Sequence, residues 1–321
     1  MMDNDKSTAA LSRRRFLHQA GAVGLGVTGL TLAACAPTEK APENAAGAAN
    51  DTSEKPVFKV PDVLRFGVGP LLPTPADTEK AYEPFFSWLA GQLGTKSELT
   101  ATDAWGGIAI ALGSDQVDLA WMGPFGYVLS NDRAGAQAIA TVQYDGKPIY
   151  HAIVVGRPEL EVNTWPDDAK GKSISFADVG STSGWLVPSF WFKQRNIDPK
   201  TYFQYTEGST HAANELAVAT GRVDFATDFD RQRTAMIESG KLAPDANKVV
   251  WTSDPLPNDA IGVRKGLDPL LVARIQELIL GITPEQALTI LPTHYTGFVK
   301  ATDDDYKSIK AAALDLNALK R

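Results

Sequence analysis

The chain has 321 residues, of which 44% are hydrophobic and 21% charged, with a formal net charge of −7. Those proportions are ordinary for a soluble globular protein, and the acidic balance argues against a nucleic-acid partner held through phosphate contacts. A single cysteine excludes an intramolecular disulfide, and widely spaced histidines without a cysteine pair give no zinc pattern, so neither metal nor cofactor is expected.

In chain order, Ser12-Arg13-Arg14-Arg15-Phe16-Leu17 reads as a twin-arginine export signal, Ala20–Leu32 is a short apolar run, and Leu32-Ala33-Ala34-Cys35 matches a lipoprotein cleavage box. The apolar run is too short to span a bilayer in its own right; the competing reading is an uncleaved anchor. Residues 1–34 are therefore expected to be a signal peptide and Cys35 the site of lipidation. Cleavage leaves 287 of the 321 residues, enough for two lobes. Residues 1–34 carry four basic and two acidic side chains, so the remainder stands at −9. An anionic ligand would have to be captured by local dipoles and hydrogen bonds against a repelling field. Residues 35–58, rich in Pro, Ala, Glu, Asn and Thr without apolar periodicity, read as a flexible tether with a reach of roughly 25–30 Å.

The folded part opens with alternating Val63–Val68, a predicted strand, then a Pro-rich loop over Leu71–Asp77 and a helix over Lys80–Leu93 whose apolar residues recur at helical spacing. Glu98–Thr102 predicts a strand, Trp105–Leu112 a helix, Val117–Met122 a buried strand and Phe125–Asn131 a helix. Ala138–Val142 and Ile149–Val155 predict two more strands. A crossover at Val154–Gly156 leads to a second series that starts at Asp167–Gly171: strand Ile174–Ala177, helix Trp185–Arg195, strand Tyr202–Thr206, helix His211–Thr220 and strand Val223–Ala226. Helix Asp230–Gly240 and strand Lys248–Ser253 follow. Pro255–Asp259 suits a return crossing, and helices Leu270–Gly281 and Asp303–Leu319 would pack back on the first lobe. The Val-Asp strands Gln116–Ala120 and Gly221–Ala226 hint at two lobes built alike. The expected fold is therefore α/β, a hinged two-lobed clamshell, with lobe 1 at 59–155 plus 256–321 and lobe 2 at 156–255; ligand sites of such folds favour the cleft at strand C-terminal ends.

The stretch Ser173–Pro188 carries the chemistry. Ser181, Thr182 and Ser183 fall between Gly180 and Gly184 where a strand feeds a helix, so three hydroxyls and the free N–H groups of a first turn point at one spot. An ordinary N-cap needs one of them. His211 opens the next predicted helix after Gly208-Ser209-Thr210, where an imidazole serves either as a cap or as an anion donor.

Gly180-Ser181-Thr182-Ser183-Gly184 with Trp185-Leu186-Val187-Pro188, then Gly-Ser-Thr-His-Ala-Ala-Asn at 208–214, resembles the periplasmic solute-binding proteins of phosphite and phosphonate ABC transporters. The likeness extends through Val-Asp-Leu-Ala-Trp at 117–121, Val-Asp-Phe-Ala-Thr at 223–227 and Ser-Asp-Pro-Leu-Pro-Asn-Asp at 253–259, and covers most of the chain after about residue 62.

The resemblance implies a periplasmic-binding-protein clamshell of type II character, a phosphorus oxyanion ligand and an ABC permease as partner, on a monomer held at the periplasmic face of the membrane by its lipid. It implies that Ser181, Thr182 and Ser183 grip the phosphonyl oxygens, that His211 donates to them, and that Asp259 accepts from the ligand. A carboxylate beside an anion needs a proton or a donor between them, so Asp259 implies a P–OH group or a donor nearby. Trp105 and Tyr150 match two cleft tyrosines; the alternative for both is a place in the core. At Trp105 the hydroxyl is missing and a flat apolar face remains, which suits P–H or P–CH3. Tyr82, Trp185 and Asp228 are candidates for a supporting role.

Amine-bearing phosphonates are held in some family members by an acidic residue twenty positions after the motif histidine, and Arg231 stands there. An arginine disfavours an ammonium tail, with Asp228 and Asp230 close by as possible substitutes. The expected order is phosphite, methylphosphonate, larger phosphonates and last phosphate. A hydrolase fits worse, because Thr182 occupies the middle of the would-be Gly-x-Ser-x-Gly elbow and the order Ser, His, Asp differs from the common triads.

Overall fold

The computed structural model describes residues 59–72 and 74–320, so the export signal, Cys35 and the tether lie outside the described residues. In chain order the described elements begin with β1 (Val63–Val68), α1 (Pro75–Gln92), β2 (Lys96–Ala101), α2 (Trp105–Gly113), β3 (Leu119–Met122), α3 (Pro124–Ala134), β4 (Gln137–Tyr144), β5 (Ile149–Tyr150) and β6 (Ala152–Gly156). Then come β7 (Ser173–Ala177), a wide π turn over Thr182–Leu186 running into α4 (Val187–Lys193), α5 (Pro199–Tyr202), β8 (Gln204–Ser209), α6 (His211–Ala219), β9 (Phe225–Phe229), α7 (Asp230–Glu238) and β10 (Lys248–Thr252). The chain closes with β11 (Leu256–Pro257), β12 (Ala260–Val263), α8 (Pro269–Leu280), α9 (Pro284–Ile290), β13 (Tyr295–Lys300) and α10 (Lys307–Asp315).

These elements form two sheets. The first has the order β13-β4-β12-β3-β1-β2 and the second β10-β6-β9-β7-β8. β1 pairs parallel with β2 and β3, and β7 pairs parallel with β8 and β9, which is the strand–helix–strand pattern expected of each half. A short antiparallel ribbon, Tyr150 opposite Leu256 and Ile149 opposite Pro257, marks the two passages of the chain between the sheets. β6 pairs with β9 and β10, so Ala152–Gly156 already belongs to the second sheet, and the crossing falls a few residues before the expected Val154–Gly156. The single strand expected over Ile149–Val155 breaks at His151, whose N–H bonds Asp230 Oδ2 at 3.2 Å while its Nδ1 meets the Ser253 carbonyl at 2.9 Å.

Apolar period explains the first sheet. Leu64, Phe66 and Val68 alternate along β1 and are fully buried. They meet the Tyr82, Phe85, Phe86 and Leu89 face of α1, with Phe66 and Phe86 rings stacked at 4.7 Å. α1 begins at Pro75 rather than Lys80, because Thr74 accepts the Asp77 N–H at 3.1 Å and Pro75 suits the first helical position. α8 lies on the same sheet, where Gln276 Nε2 donates to the Ile139 carbonyl at 2.6 Å. The expected C-terminal helix Asp303–Leu319 is interrupted: a 3₁₀ turn at Asp303–Tyr306, capped by Thr302 and Asp305, precedes α10. α10 does not rest on the first lobe alone. Lys310 Nζ reaches Asn131 of α3 at 3.4 Å, while Asp315 pairs with Lys193 of α4 at 2.9 Å, so the helix straddles both halves.

Candidate functional site

β7 ends at Ala177, and the chain turns through Gly180 into the π turn. Ser181 caps that turn, its Oγ accepting the Gly184 N–H at 3.1 Å, and Leu186 N–H closes back on the Ser181 carbonyl at 3.0 Å. Gly184 is required here, since a Cβ would stand 2.3 Å from the Ala177 Cβ and 2.8 Å from His211 Cε1. That close approach lets His211, first residue of α6, lay its Nε2 2.9 Å from Ser181 Oγ. Its other nitrogen lies 2.8 Å from Asp228 Oδ1 at the end of β9, off the line of a formed hydrogen bond. Burial pushes His211 down to about 4, so it is a neutral imidazole at neutral pH. Burial likewise pushes Asp228 up, and Glu215 behind it higher still, to about 9, with Asp228 adding to the rise.

Trp105 opens α2 opposite this turn, and its ring and Cβ lie against backbone that only glycine allows. A Cβ on Gly69 would come within 2.6 Å of its ring, one on Gly123 within 3.1 Å, and one on Gly180 within 2.9 Å of its own Cβ. Gly69 and Gly123 belong to the first lobe and Gly180 to the second, so the halves are closed on each other at this point. Thr182 makes a second crossing contact: its Oγ1 accepts the Phe125 N–H at 2.8 Å, supplying the cap that Gly123 cannot give α3.

One small cavity of ≈ 20 Å³ lies between these groups. All seven candidates, Ser181, Thr182, Ser183, His211, Asp259, Trp105 and Tyr150, line it, together with Leu71, Gly123, Phe229 and Arg231. Asp259 is 3% exposed, and its Oδ2 accepts the Trp121 Nε1–H at 3.2 Å. Burial raises its pKa against the lowering effects of Arg231 and Trp121. Tyr150 is pushed well up, first by burial and then by the Asp259 charge, while Arg231 and the Thr182 and Ser183 hydroxyls act the other way.

The three supporting candidates part company. Asp228 sits directly behind His211. Tyr82 lies deeper, edge-on to Trp121 at 4.9 Å and 3.5 Å from the Tyr295 hydroxyl, and lines a separate outer chamber. Trp185 does not reach the cavity; the wide turn carries it to the far side, where its Nε1 donates to Glu207 Oε2 at 2.8 Å and it lines a different groove. Two residues of the site are not among the binding candidates read from sequence, although Arg231 is noted there as barring an ammonium. Trp121 ends the Val-Asp-Leu-Ala-Trp string and fixes Asp259. Arg231 is 9% exposed, and its Nε and Nη1 have no hydrogen-bond partner among the described residues.

Ser181, His211 and Asp228 stand in a hydroxyl–imidazole–carboxylate row, but the His211–Asp228 contact is not a formed hydrogen bond, so the geometry of a hydrolase triad is incomplete. Here the serine oxygen is engaged as a helix cap, and the similar proteins are not enzymes. The chain is 30% identical to the phosphonates-binding periplasmic protein of Escherichia coli (strain K12), over 73% of this chain and 71% of that protein. It is 26% identical to the phosphate-import protein PhnD of Mycolicibacterium smegmatis, over 73% and 80%. A solved binding-protein component of an ABC phosphonate transporter from Pseudomonas aeruginosa superposes with a TM-score of 0.70 at 25% identity, covering 80% of this chain and 87% of that one. The family model of ABC-transporter phosphonate periplasmic substrate-binding proteins matches residues 71–306, and the chain belongs to that family.

Proposed function

We propose that this protein captures a small phosphorus oxyanion in the closed cleft and presents it to the permease of an importer, with phosphite first and methylphosphonate second. One observation carries the reading: seven residues from distant points of the chain line a single small cavity, so that hydroxyls, a ring nitrogen, a carboxylate and an aromatic face converge on one spot. Ser181, Thr182 and Ser183 bring hydroxyls from one side, and neutral His211 brings a ring nitrogen. Trp105 brings a flat face that favours P–H or P–CH3 over a further hydroxyl. Contacts from both halves exist only when they are closed, so the anion shifts the population toward that form. Lipidation of Cys35 after twin-arginine export would hold a monomeric domain at the periplasmic face of the membrane, within reach of the permease.

Asp259 favours a second reading, phosphate, because a P–OH group is what a buried carboxylate accepts from. Calorimetric titration with phosphite, methylphosphonate, 2-aminoethylphosphonate, phosphate and sulfate separates the two. Tight phosphite or methylphosphonate binding with weak phosphate supports the first; the reverse order supports the second; binding of none removes the ligand class. Thr182→Ala is expected to weaken binding by roughly 1–3 kcal/mol, and an unchanged affinity means that the anion is not held there.

A further inference from the structure

The small cavity has a larger neighbour. An outer chamber of ≈ 630 Å³ is lined by Tyr82, Tyr144, His294 and Tyr295 among others, and three residues line both spaces: Leu71, Phe229 and Arg231. Arg231 is the one charged side chain of the three. Its guanidinium carbon lies 4.8 Å from the Tyr150 ring centre and 4.9 Å from that of Tyr144, with Phe229 at 5.6 Å and Tyr295 at 5.9 Å. The rings hold the cation in place without using its donors, and Nε and Nη1 remain unpartnered in a side chain nine-tenths buried. Buried charged donors left without acceptors are costly, and an arriving oxyanion relieves that cost. The acid that faces the outer chamber, Glu238, is engaged by His294 Nε2 at 2.9 Å.

We propose that Arg231 is a ligand-binding residue, and that it extends the ligand class to short phosphonates whose substituent ends in a carboxylate. The phosphonate head occupies the small cavity, the substituent passes Leu71 and Phe229, and the carboxylate meets the planar guanidinium edge. A substituent ending in an ammonium meets the same cation and is refused. This rests on the reading of the small cavity as a phosphorus-oxyanion site.

The test titrates phosphonoacetate, 2-aminoethylphosphonate and methylphosphonate into the purified full chain and into its Arg231→Gln and Arg231→Glu variants. The unsubstituted protein is expected to bind phosphonoacetate about 30-fold or more tighter than 2-aminoethylphosphonate, the scale of a buried charge pair made against one refused. Arg231→Gln should narrow that ratio to within about threefold, and Arg231→Glu should invert it. A ratio near one in the unsubstituted protein overturns the proposal whether or not the variants fold, and so does an unchanged ratio in a folded Arg231→Gln. Binding of methylphosphonate without phosphonoacetate sinks this inference and leaves the oxyanion site standing. Binding of none of the three ends both.

Discussion

Asp118 and Asp224 occupy the same place in the two sheets. Each follows a valine just before a central parallel strand and accepts a backbone N–H from the strand beside it, Arg65 N at 3.0 Å for Asp118 and Ser173 N at 2.9 Å for Asp224. Beyond that they differ. Asp118 is 2% exposed and takes the Arg65 guanidinium and Arg264 Nε, both at 2.8 Å, while Asp224 is 21% exposed, takes the Ser173 hydroxyl at 2.8 Å, and has Arg157 only at 3.5 Å. The halves are thus built on one device, locked with charge in the first and with a hydroxyl in the second. The first half is also continuous with the chain's return through β12, to which Arg264 is attached, so its lock ties together strands distant in sequence.

The sharpest way to break the comparison is to remove both carboxylates. Asp118→Ala removes charged hydrogen bonds from two partly exposed arginines and is expected to cost about 2–3 kcal/mol, whereas Asp224→Ala loses hydrogen bonds worth about 1–2 kcal/mol. Urea unfolding of the two variants measures the difference, and equal costs would mean that charge adds nothing to the first lock. Burial by itself raises Asp118, but the hydrogen bonds from Arg65 and Arg264 hold it below its ordinary value. Its contribution is therefore present above the unfolded pKa and lost as pH falls through the lower folded one.

The second half has the opposite pH sign. Glu215, raised from 4.5 to about 9 by burial and by Asp228, is protonated in the folded protein across a range where the unfolded chain has released its proton. Folding there takes up a proton, so the stability that Glu215 contributes is fully present below about pH 4.5 and is lost as pH rises toward 9. Glu215→Gln should flatten that fall by at least about 1 kcal/mol between pH 5 and pH 8.5. Urea midpoints at the two pH values check it, and an unchanged slope would place the uptake on another group.

Much of this was legible beforehand, for identifiable reasons. The Val-Asp strands show in sequence because a buried parallel strand is an apolar run with its aspartate at the entry. Of the seven cavity residues, Ser181, Thr182, Ser183 and His211 stand out because hydroxyls and a histidine mark turns at strand ends, whereas Asp259, Trp105 and Tyr150 come from the family resemblance, since a loop aspartate and two aromatics carry no such mark of their own. β12 and β13 were missed. Ala260–Val263 is four residues with a glycine that lies against the tip of Met122, too short a run to show alternation, and Tyr295–Lys300 holds Gly297 at φ 144 and a register shift that breaks its alternation. Trp185 follows the hydroxyl cluster directly in sequence, but the turn over Thr182–Leu186 closes over five residues and points it away from the cavity toward Glu207, which sequence adjacency does not show. Arg231 was legible as a residue type that bars an ammonium, but not as a wall of the cavity, because its burial depends on rings brought from β4, β5 and β13.

The smallest expected effect concerns what the first half brings to the cleft. Trp105 presents a ring seated on first-half backbone at Gly69 and Gly123, while its Cβ lies against Gly180 of the second half, and these glycines leave just enough room for it. Trp105→Tyr returns a hydroxyl to this wall and removes part of the flat face, without adding volume that the glycines would have to absorb. The hydroxyl gives a further oxygen on phosphorus a partner that an indole face does not, whereas P–H and P–CH3 lose apolar contact. Phosphate should therefore gain on methylphosphonate by about 3- to 10-fold, the worth of one neutral hydrogen bond. Competition titration of the two anions on the same sample reads the ratio directly. A ratio unmoved by the substitution would mean that the Trp105 face does not touch the ligand, and that discrimination resides with Asp259.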